Sequence, residues 1–479
     1  MQPSYLFYDI ESTGLNKCFD QVMQFAAIRT DLDLNEIERH EYLVKVIDDV
    51  IPSPGALITH LVSINDANQH GISEYEAIQK IHALLNTPGT ISLGYNTLTF
   101  DDEFLRFSFW RNLLPPYTHQ YANQCGRMDL YPMTLIYHLF QSHVITWPMI
   151  DDKPSMKLEN LSAANAFSQG QAHNAMVDVE ATLALAKALR TERAVWDYLS
   201  GYFQKQTEQH RLRQLPILLQ QNNHRLSWGL MVLGKIGNRY NYIAPVLNLG
   251  THNHYKNQTL WLRLDLSELE TTTSESIEKT TWVFKKKYGE PGLVLPPNDR
   301  YLEQVDEKRK NIVQGNLRWC QENPELFDEI VQYHREYKYP VVDNVDAEAA
   351  LYQADFLTPQ EQRWCNEFHR ATPEHKSQLI DQQGNPLLQE LATRILGRHF
   401  PKYLSPQQYE QYHAFRQKAL GQAESEIPID FRGDARMNLL VLERQLQELD
   451  QLNLSEKQQT LLEELAQRHQ LSSGDLPAS

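Results

Sequence analysis

Three short stretches carry side chains that could do chemistry. Asp9-Ile10-Glu11 continues an apolar, β-rich run, Tyr5-Leu6-Phe7-Tyr8. Residues two apart on a strand point to the same face, so both carboxylates project together. Paired carboxylates repel unless a cation neutralises them; the plainer alternative is an edge strand whose acids face water. Asn96-Thr-Leu-Thr-Phe100-Asp101-Asp102 follows a short buried-strand candidate and opens a helix, where an acid also serves as a simple N-cap. The third stretch is His173-Asn-Ala-Met-Val-Asp178. On one helix, five steps of about 100° would leave His173 and Asp178 about 140° apart, too far to converge. With Asn174 as N-cap, His173 falls in the preceding loop, and its imidazole can fold over the first turn toward Asp178. Taken singly, a loop histidine and a helical aspartate are ordinary surface residues.

These groups need elements to position them. The first third alternates strand and helix signals: strands at residues 5–11, 24–29, 42–46 and 91–95, and helices over 66–85, 101–114 and 174–189. That is an α/β layered domain with a mixed sheet. From about 200 to 345 the texture changes. Strands at 241–247 and 259–266 flank a turn-rich segment, 248–257, and predict a small antiparallel barrel or sheet, with helices from Asp306 onward. After Asp346 nearly everything reads as helix. Leu439, Leu442, Leu446 and Leu449 form an apolar stripe, and Ser455-Glu-Lys-Gln458 fits a capping box.

Composition sets outer bounds. A chain of 479 residues, 41% hydrophobic and 22% charged, makes about two to four globular domains. No window approaches the ~18 apolar residues of a membrane span, and the N-terminus has no signal-peptide pattern. Cys18, Cys125, Cys320 and Cys365 are scattered, which predicts neither a disulfide framework nor structural zinc, and a reduced cytoplasm as the compartment. The net charge of −16 excludes a uniformly basic nucleic-acid coat but leaves room for a local basic lane.

Together and in this order, the three stretches resemble the DEDDh 3′→5′ exonuclease pattern: Asp9, Glu11, Asp101 and Asp178 are the four acids, and His173 is the final letter. Hard carboxylate oxygens suit Mg²⁺ or Mn²⁺. Two such ions about 3.5–4 Å apart clamp the attacking and leaving oxygens of an in-line displacement. The resemblance implies that Asp9, Glu11 and Asp178 hold the metals, that Asp101 helps through a second ion or its water, and that neutral His173 is the general base. Gln24-Phe-Ala-Ala-Ile-Arg-Thr-Asp31, Gly94-Tyr-Asn96, Phe100-Asp-Asp-Glu103, Asn174-Ala-Met-Val-Asp-Val179 and Asp343-Asn-Val-Asp346 are similar to the bacterial exonuclease I family of the gamma-proteobacterial type. The last lies far from the others, so the similarity spans essentially the whole chain.

That resemblance implies a multidomain α/β protein: a ribonuclease H-like DEDDh exonuclease domain (1–190), an SH3-like β-containing domain (193–346) and a C-terminal α-helical domain (349–472). It implies a C-shaped body with a groove leading to the nuclease site, two Mg²⁺ per active site with Mn²⁺ able to substitute, and single-stranded DNA as substrate. It further implies the acidic C-terminal tail of single-strand DNA-binding protein as a partner, no membrane attachment, a cytoplasmic monomer, and work in DNA repair and recombination.

By the same resemblance Lys157, in Pro154-Ser-Met-Lys-Leu158, holds a substrate phosphate where the family usually has Arg, which turns a bidentate contact into a point charge. Glu11, Arg106, Tyr117, Tyr121, Arg127, Tyr198 and Lys205 are the other implied substrate contacts. Each has a duller alternative: solvated helix charges for Arg106 and Lys205, core or interface packing for the tyrosines. Lys285-Lys-Lys287 reads either as a strand clamp or as a wet loop. Scattered cations with stacking aromatics would bind a strand without sequence preference. Two other functions share the pattern: a DEDDh exoribonuclease, because neither acids nor base read the 2′-OH, and a catalytically silent strand-binding or recruitment protein.

Overall fold

The computed structural model describes residues 2–168, 174–221, 224–421, 427–449 and 451–470. The first unit is built on a five-stranded sheet in the order β3-β2-β1-β4-β5. Its strands are β1 (Ser4–Ser12), β2 (Val22–Thr30), β3 (Glu36–Leu43), β4 (Thr90–Gly94) and β5 (Gly126–Asp129). β1, β2 and β3 run antiparallel, while β4 and β5 run parallel to β1. Both faces of β1 are covered. Leu6, Tyr8 and Ile10 pack against Ile78, Ile81 and Phe104; Tyr5 and Phe7 pack into the larger core containing Leu93, Leu130, Val179 and Leu183. Asp9 and Glu11 continue the Tyr5/Phe7 face, which sends them toward the helix carrying Val179.

Helices α1 (Pro54–His60), α2 (Ile64–His70), α3 (Glu74–Leu85), α4 (Asp101–Arg111) and α5 (Leu130–Phe140), the hairpin of β6 (Met149–Ile150) and β7 (Lys153–Pro154), and helices α6 (Leu158–Asn165) and α7 (Ala175–Leu189) complete this unit. The single helix expected over 66–85 is two. Gly71 comes so close to the β3 end that a Cβ would meet the Leu43 carbonyl oxygen at 2.7 Å, and Ile72 bridges to Val44 in parallel. Ser73 then caps a fresh start by accepting from Glu76 N. The third strand ends at Leu43 rather than Val46, and α4 stops at Arg111, with Leu113 left-handed at φ +58°.

The second unit centres on a six-stranded antiparallel sheet, where the SH3-like domain is expected: β8 (Ile217–Gln221), β9 (His224–Val232), β10 (Ile243–Thr251), β11 (Gln258–Arg263), β12 (Val283–Lys287) and β13 (Leu293–Leu295). The order is β12-β11-β10-β9-β13, with β8 also on β9. Lys285-Lys-Lys287 is strand, not loop. Lys286 is buried 2.8 Å from Glu208, and Lys285 lies over the Tyr337 and Tyr339 rings.

The last unit is helical, and the capping box at Ser455 and Gln458 is present. Leu442, Leu446, Leu462 and Leu465 pack on Val46, Ile51 and Leu57, while Phe368, Leu391 and Ile395 join Phe107 and Trp110 of α4. The helical unit therefore grips the nuclease sheet directly. The four cysteines are buried, and none of them is joined in a disulfide.

Candidate active site

Asp9 and Glu11 stand opposite Ala26 and Gln24 in the β1–β2 ladder. α7 crosses that face, started by Asn174, whose side chain accepts from Met176 N and Val177 N. This puts Asp178 in the first turn over the two strand acids. Asp9, Glu11 and Asp178 each offer a carboxylate oxygen within 4.8 Å of the others.

Asp101 is buried at the N-terminus of α4 and outside that trio, yet close enough to act on it by charge. Burial, then Asp101, Glu11 and Asp178, push Asp9 well above the carboxylate range. Burial, then Asp178 and Asp101, push Glu11 up to about 9. Burial raises Asp101 to about 7, although its own N–H and that of Ile10 stabilise the anion. These are hard oxygen donors forced together at a cost that positive charge would relieve. The trio fits a divalent cation of the Mg²⁺/Mn²⁺ type. His173 lies outside the described residues.

The turn leading into α4 is held from below. Gly94 passes so near β1 that a Cβ would meet the Tyr8 carbonyl oxygen at 2.6 Å. Asp129, the N-cap of α5, accepts from Asn96 N at 2.8 Å, Leu98 N at 3.1 Å and Tyr131 N at 2.9 Å. Asp102 faces the opposite way from a catalytic acid. It binds His119 at 2.9 Å, Arg127 at 2.6 Å and Arg106 at 3.3 Å, all nearly buried. Burial alone would raise Asp102, but Arg127, His119 and Arg106 hold it well below the usual range. Arg106, given to DNA by resemblance, is thus a buried partner of Asp102 and lies against the Tyr117 ring. Arg127 is likewise engaged, by Asp102 and, at 3.4 Å, by Glu290.

From Asp178 a cleft of about 1060 Å³ opens between the nuclease unit and the second sheet. Lys157 lines it from the start of α6, 74% exposed and 3.4 Å from Glu159. Across it stand Lys235 and Tyr242 of the second unit, with Tyr95, Asn96 and Tyr131 on the nuclease side. Tyr121, Arg127 and Lys205 meet elsewhere, in a separate cleft of about 760 Å³ with Lys287 and Tyr288. Tyr198 lines neither; it lies under the Arg211 guanidinium, edge-on to Tyr202. The structure therefore joins Asp9, Glu11 and Asp178, sets Lys157 in the same cleft as Asp178, gathers Tyr121, Arg127 and Lys205 in a second cleft, and leaves Arg106, Tyr117 and Tyr198 outside both.

Sequence reasoning missed Asp129, Lys153, Lys235, Tyr131 and Tyr242. Asp129 precedes a helix and carries an N-cap signal; Lys235 and Tyr242 reach the cleft only through the packing of the two sheets.

An exonuclease family model matches residues 6–186, and the exonuclease I C-terminal domain model matches 345–470. Exodeoxyribonuclease I of Escherichia coli (strain K12) is 31% identical over 379 residues, 74% of this chain and 77% of that protein. A crystal structure of E. coli exonuclease I in complex with a dA16 oligonucleotide superposes with a TM-score of 0.83 at 25% identity, covering 98% of this chain and 99% of that one. The zinc ion bound form of the E. coli ExoI–ssDNA complex shares the fold at TM-score 0.83 and 24% identity, over 98% and 99% of the two chains. With an exonuclease model over the first unit, the exonuclease I C-terminal model over the helical unit and a relative 31% identical over 77% of its own length, the chain belongs to the exonuclease I family.

Proposed function

We propose that this protein degrades single-stranded DNA from the 3′ end to 5′-mononucleotides, by hydrolysis assisted by two Mg²⁺ ions, in DNA repair and recombination. The observation that carries the proposal is the cage of Asp9, Glu11 and Asp178 oxygens beside a cleft that Asp178 and Lys157 line together. Asp9, Glu11 and Asp178 are assigned to hold the cations, with Asp101 biasing the cage through its charge. When bound, the cations supply positive charge that draws in the phosphodiester and acidifies the attacking water.

The chain's own groups do the rest. Half-buried, the acids sit where that charge counts for more than in open water. Lys157 holds a phosphate near Asp178 as a point charge. His173 is assigned, from the sequence pattern, to take the water's proton. The family reading also carries a cytoplasmic monomer and the acidic tail of single-strand DNA-binding protein as partner. No helix among the described residues is long and apolar enough to cross a membrane.

The test is digestion of a 5′-labelled single strand, a blunt duplex and a matched RNA in Mg²⁺, with and without EDTA. A ladder shortening from the 3′ end of the DNA single strand, abolished by EDTA, is expected. Equal digestion of RNA, or digestion that survives EDTA, would overturn the reading.

A further inference from the structure

The β6–β7 hairpin carries apolar side chains that packing does not account for. Met149 and Ile150 are 59% and 51% exposed, on strands only two residues long. The turn residues Asp151 and Asp152 both take positive φ, +48° and +57°, the signature of a type I′ hairpin turn.

The base of the hairpin is pinned on two sides. Ser155 N donates to Pro148 O at 2.8 Å, and the Tyr95 hydroxyl donates to the Met156 carbonyl, tying it to the nuclease unit. Asn238 Nδ2 donates to Pro154 O at 3.3 Å, tying it to the second unit. The tip is therefore held over the cleft by both walls.

Ile150, Lys153 and Pro154 of the hairpin line the cleft, and Met149 does not. Ile150 pairs with Lys153, and Met149 with Pro154. Directly opposed residues share a face, so Ile150 and Lys153 project together. Both line the cleft that contains Asp178 and Lys157. An apolar side chain beside an ammonium matches the two parts of a nucleotide, a base face and a phosphate.

We infer that the Ile150–Lys153 pair contacts a nucleotide of the entering strand and sets the preference for unpaired ends. Ile150 packs on a base face that only an unstacked nucleotide presents, and Lys153 takes the adjoining phosphate. This rests on the single-strand exonuclease reading and adds residues to its substrate path beyond the acids and Lys157.

The experiment compares the parent with Ile150→Ala, Lys153→Gln and Met149→Ala, the last on the opposite face. Hydrolysis of a single strand and of a blunt duplex is measured across salt, and binding of the same single strand in EDTA is followed by fluorescence anisotropy. Ile150→Ala and Lys153→Gln should each raise KM and Kd about fivefold with kcat little changed. Lys153→Gln should flatten the slope of log Kd against log salt by about 0.7, one phosphate on a single strand. Ile150→Ala should also narrow the gap between single strand and duplex, and Met149→Ala should match the parent. Unchanged binding and salt slope in the first two variants would overturn the inference. So would an equal loss in Met149→Ala, which would mean that only the hairpin's shape matters. If the parent binds the strand but does not cut it, the functional reading fails, while weakened binding in the two variants still upholds the contacts.

Discussion

Removing one carboxylate from the acid cluster should stop hydrolysis and yet make the cation-free protein harder to unfold. Glu11→Gln is the most informative variant because it keeps the side-chain shape. In the folded chain burial, then Asp178 and Asp101, push Glu11 up to about 9, against 4.5 for an unperturbed glutamate. Below about pH 4.5 the carboxyl is protonated in both states and costs nothing. Between 4.5 and 9 the unfolded state releases the proton while the folded state keeps it, so stability falls with rising pH by about 1.4 kcal/mol per unit. At pH 7.5 the three accumulated units come to at most about 4 kcal/mol. Glutamine has no proton to lose and recovers that cost. At about 2–4 °C per kcal/mol for a unit of this size, the variant should melt several degrees above the parent in EDTA at pH 7.5. The gap should close as the pH falls toward 4.5. In saturating Mg²⁺ the order should reverse, because the parent gains stability from binding and the variant has lost a ligand. The assay is differential scanning calorimetry from pH 5 to 8, with EDTA or Mg²⁺, alongside oligonucleotide digestion. A parent whose melting is flat with pH in EDTA, and a variant that melts no higher, would refute mutual repulsion and with it the cation cage.

Substitutions at three other residues probe separate parts of the site. His173→Ala should lower turnover by ~10²–10⁴ while leaving Mn²⁺ and strand binding intact, as single-turnover rates and anisotropy in Ca²⁺ would report. Lys157→Ala should raise KM for a single strand several-fold with a smaller change in kcat, and Lys157→Arg should restore or improve it through two-pronged phosphate contact; steady-state kinetics at two salt concentrations decide. Asp102→Asn should cost about 3–5 kcal/mol by leaving the buried Arg106 and Arg127 without their anion, read as a lower urea midpoint. Because the Asp102 carboxyl is held well below its unfolded value, the parent keeps this stabilisation above about pH 4 and loses it as pH falls further.

Much of the catalytic end could be read from spacing alone. Asp9 and Glu11 share a face because strands have period two, and Asn174 announces the start of the helix that brings Asp178 over them. Both signals are local. What could not be read is which charges are buried. Arg106 stands four residues after Asp102, a visible helical pairing, but that pair becomes a closed network only because His119 and Arg127 arrive from a distant turn and strand. The break at Gly71 has the same origin: Ile72 is taken by Val44, far away in sequence, before the helix can continue. The cleft's second wall, Lys235 and Tyr242, belongs to the connection between β9 and β10, in the other unit.

A chain of net charge −16 acting on a polyanion must ration its cations, and many of its arginines are spent inside. Arg398 and Arg436 bind Asp49 and Glu348, Arg394 binds Asp346, Arg263 and Arg309 bind Asp265, and Arg111 binds Glu74. The planar fork of a guanidinium matches a carboxylate with two parallel hydrogen bonds, as between Arg394 and Asp346. The first of these networks spans the nuclease unit, the segment at 346–348 and the C-terminal helices, so it also fixes how the helical unit is seated. Five lysines line the openings, Lys153, Lys157 and Lys235 in the cleft with Asp178, and Lys205 and Lys287, beside Arg127, in the other, while Lys286 and Lys376 are buried. A hydrated point charge on a flexible stem gives attraction without fixed geometry.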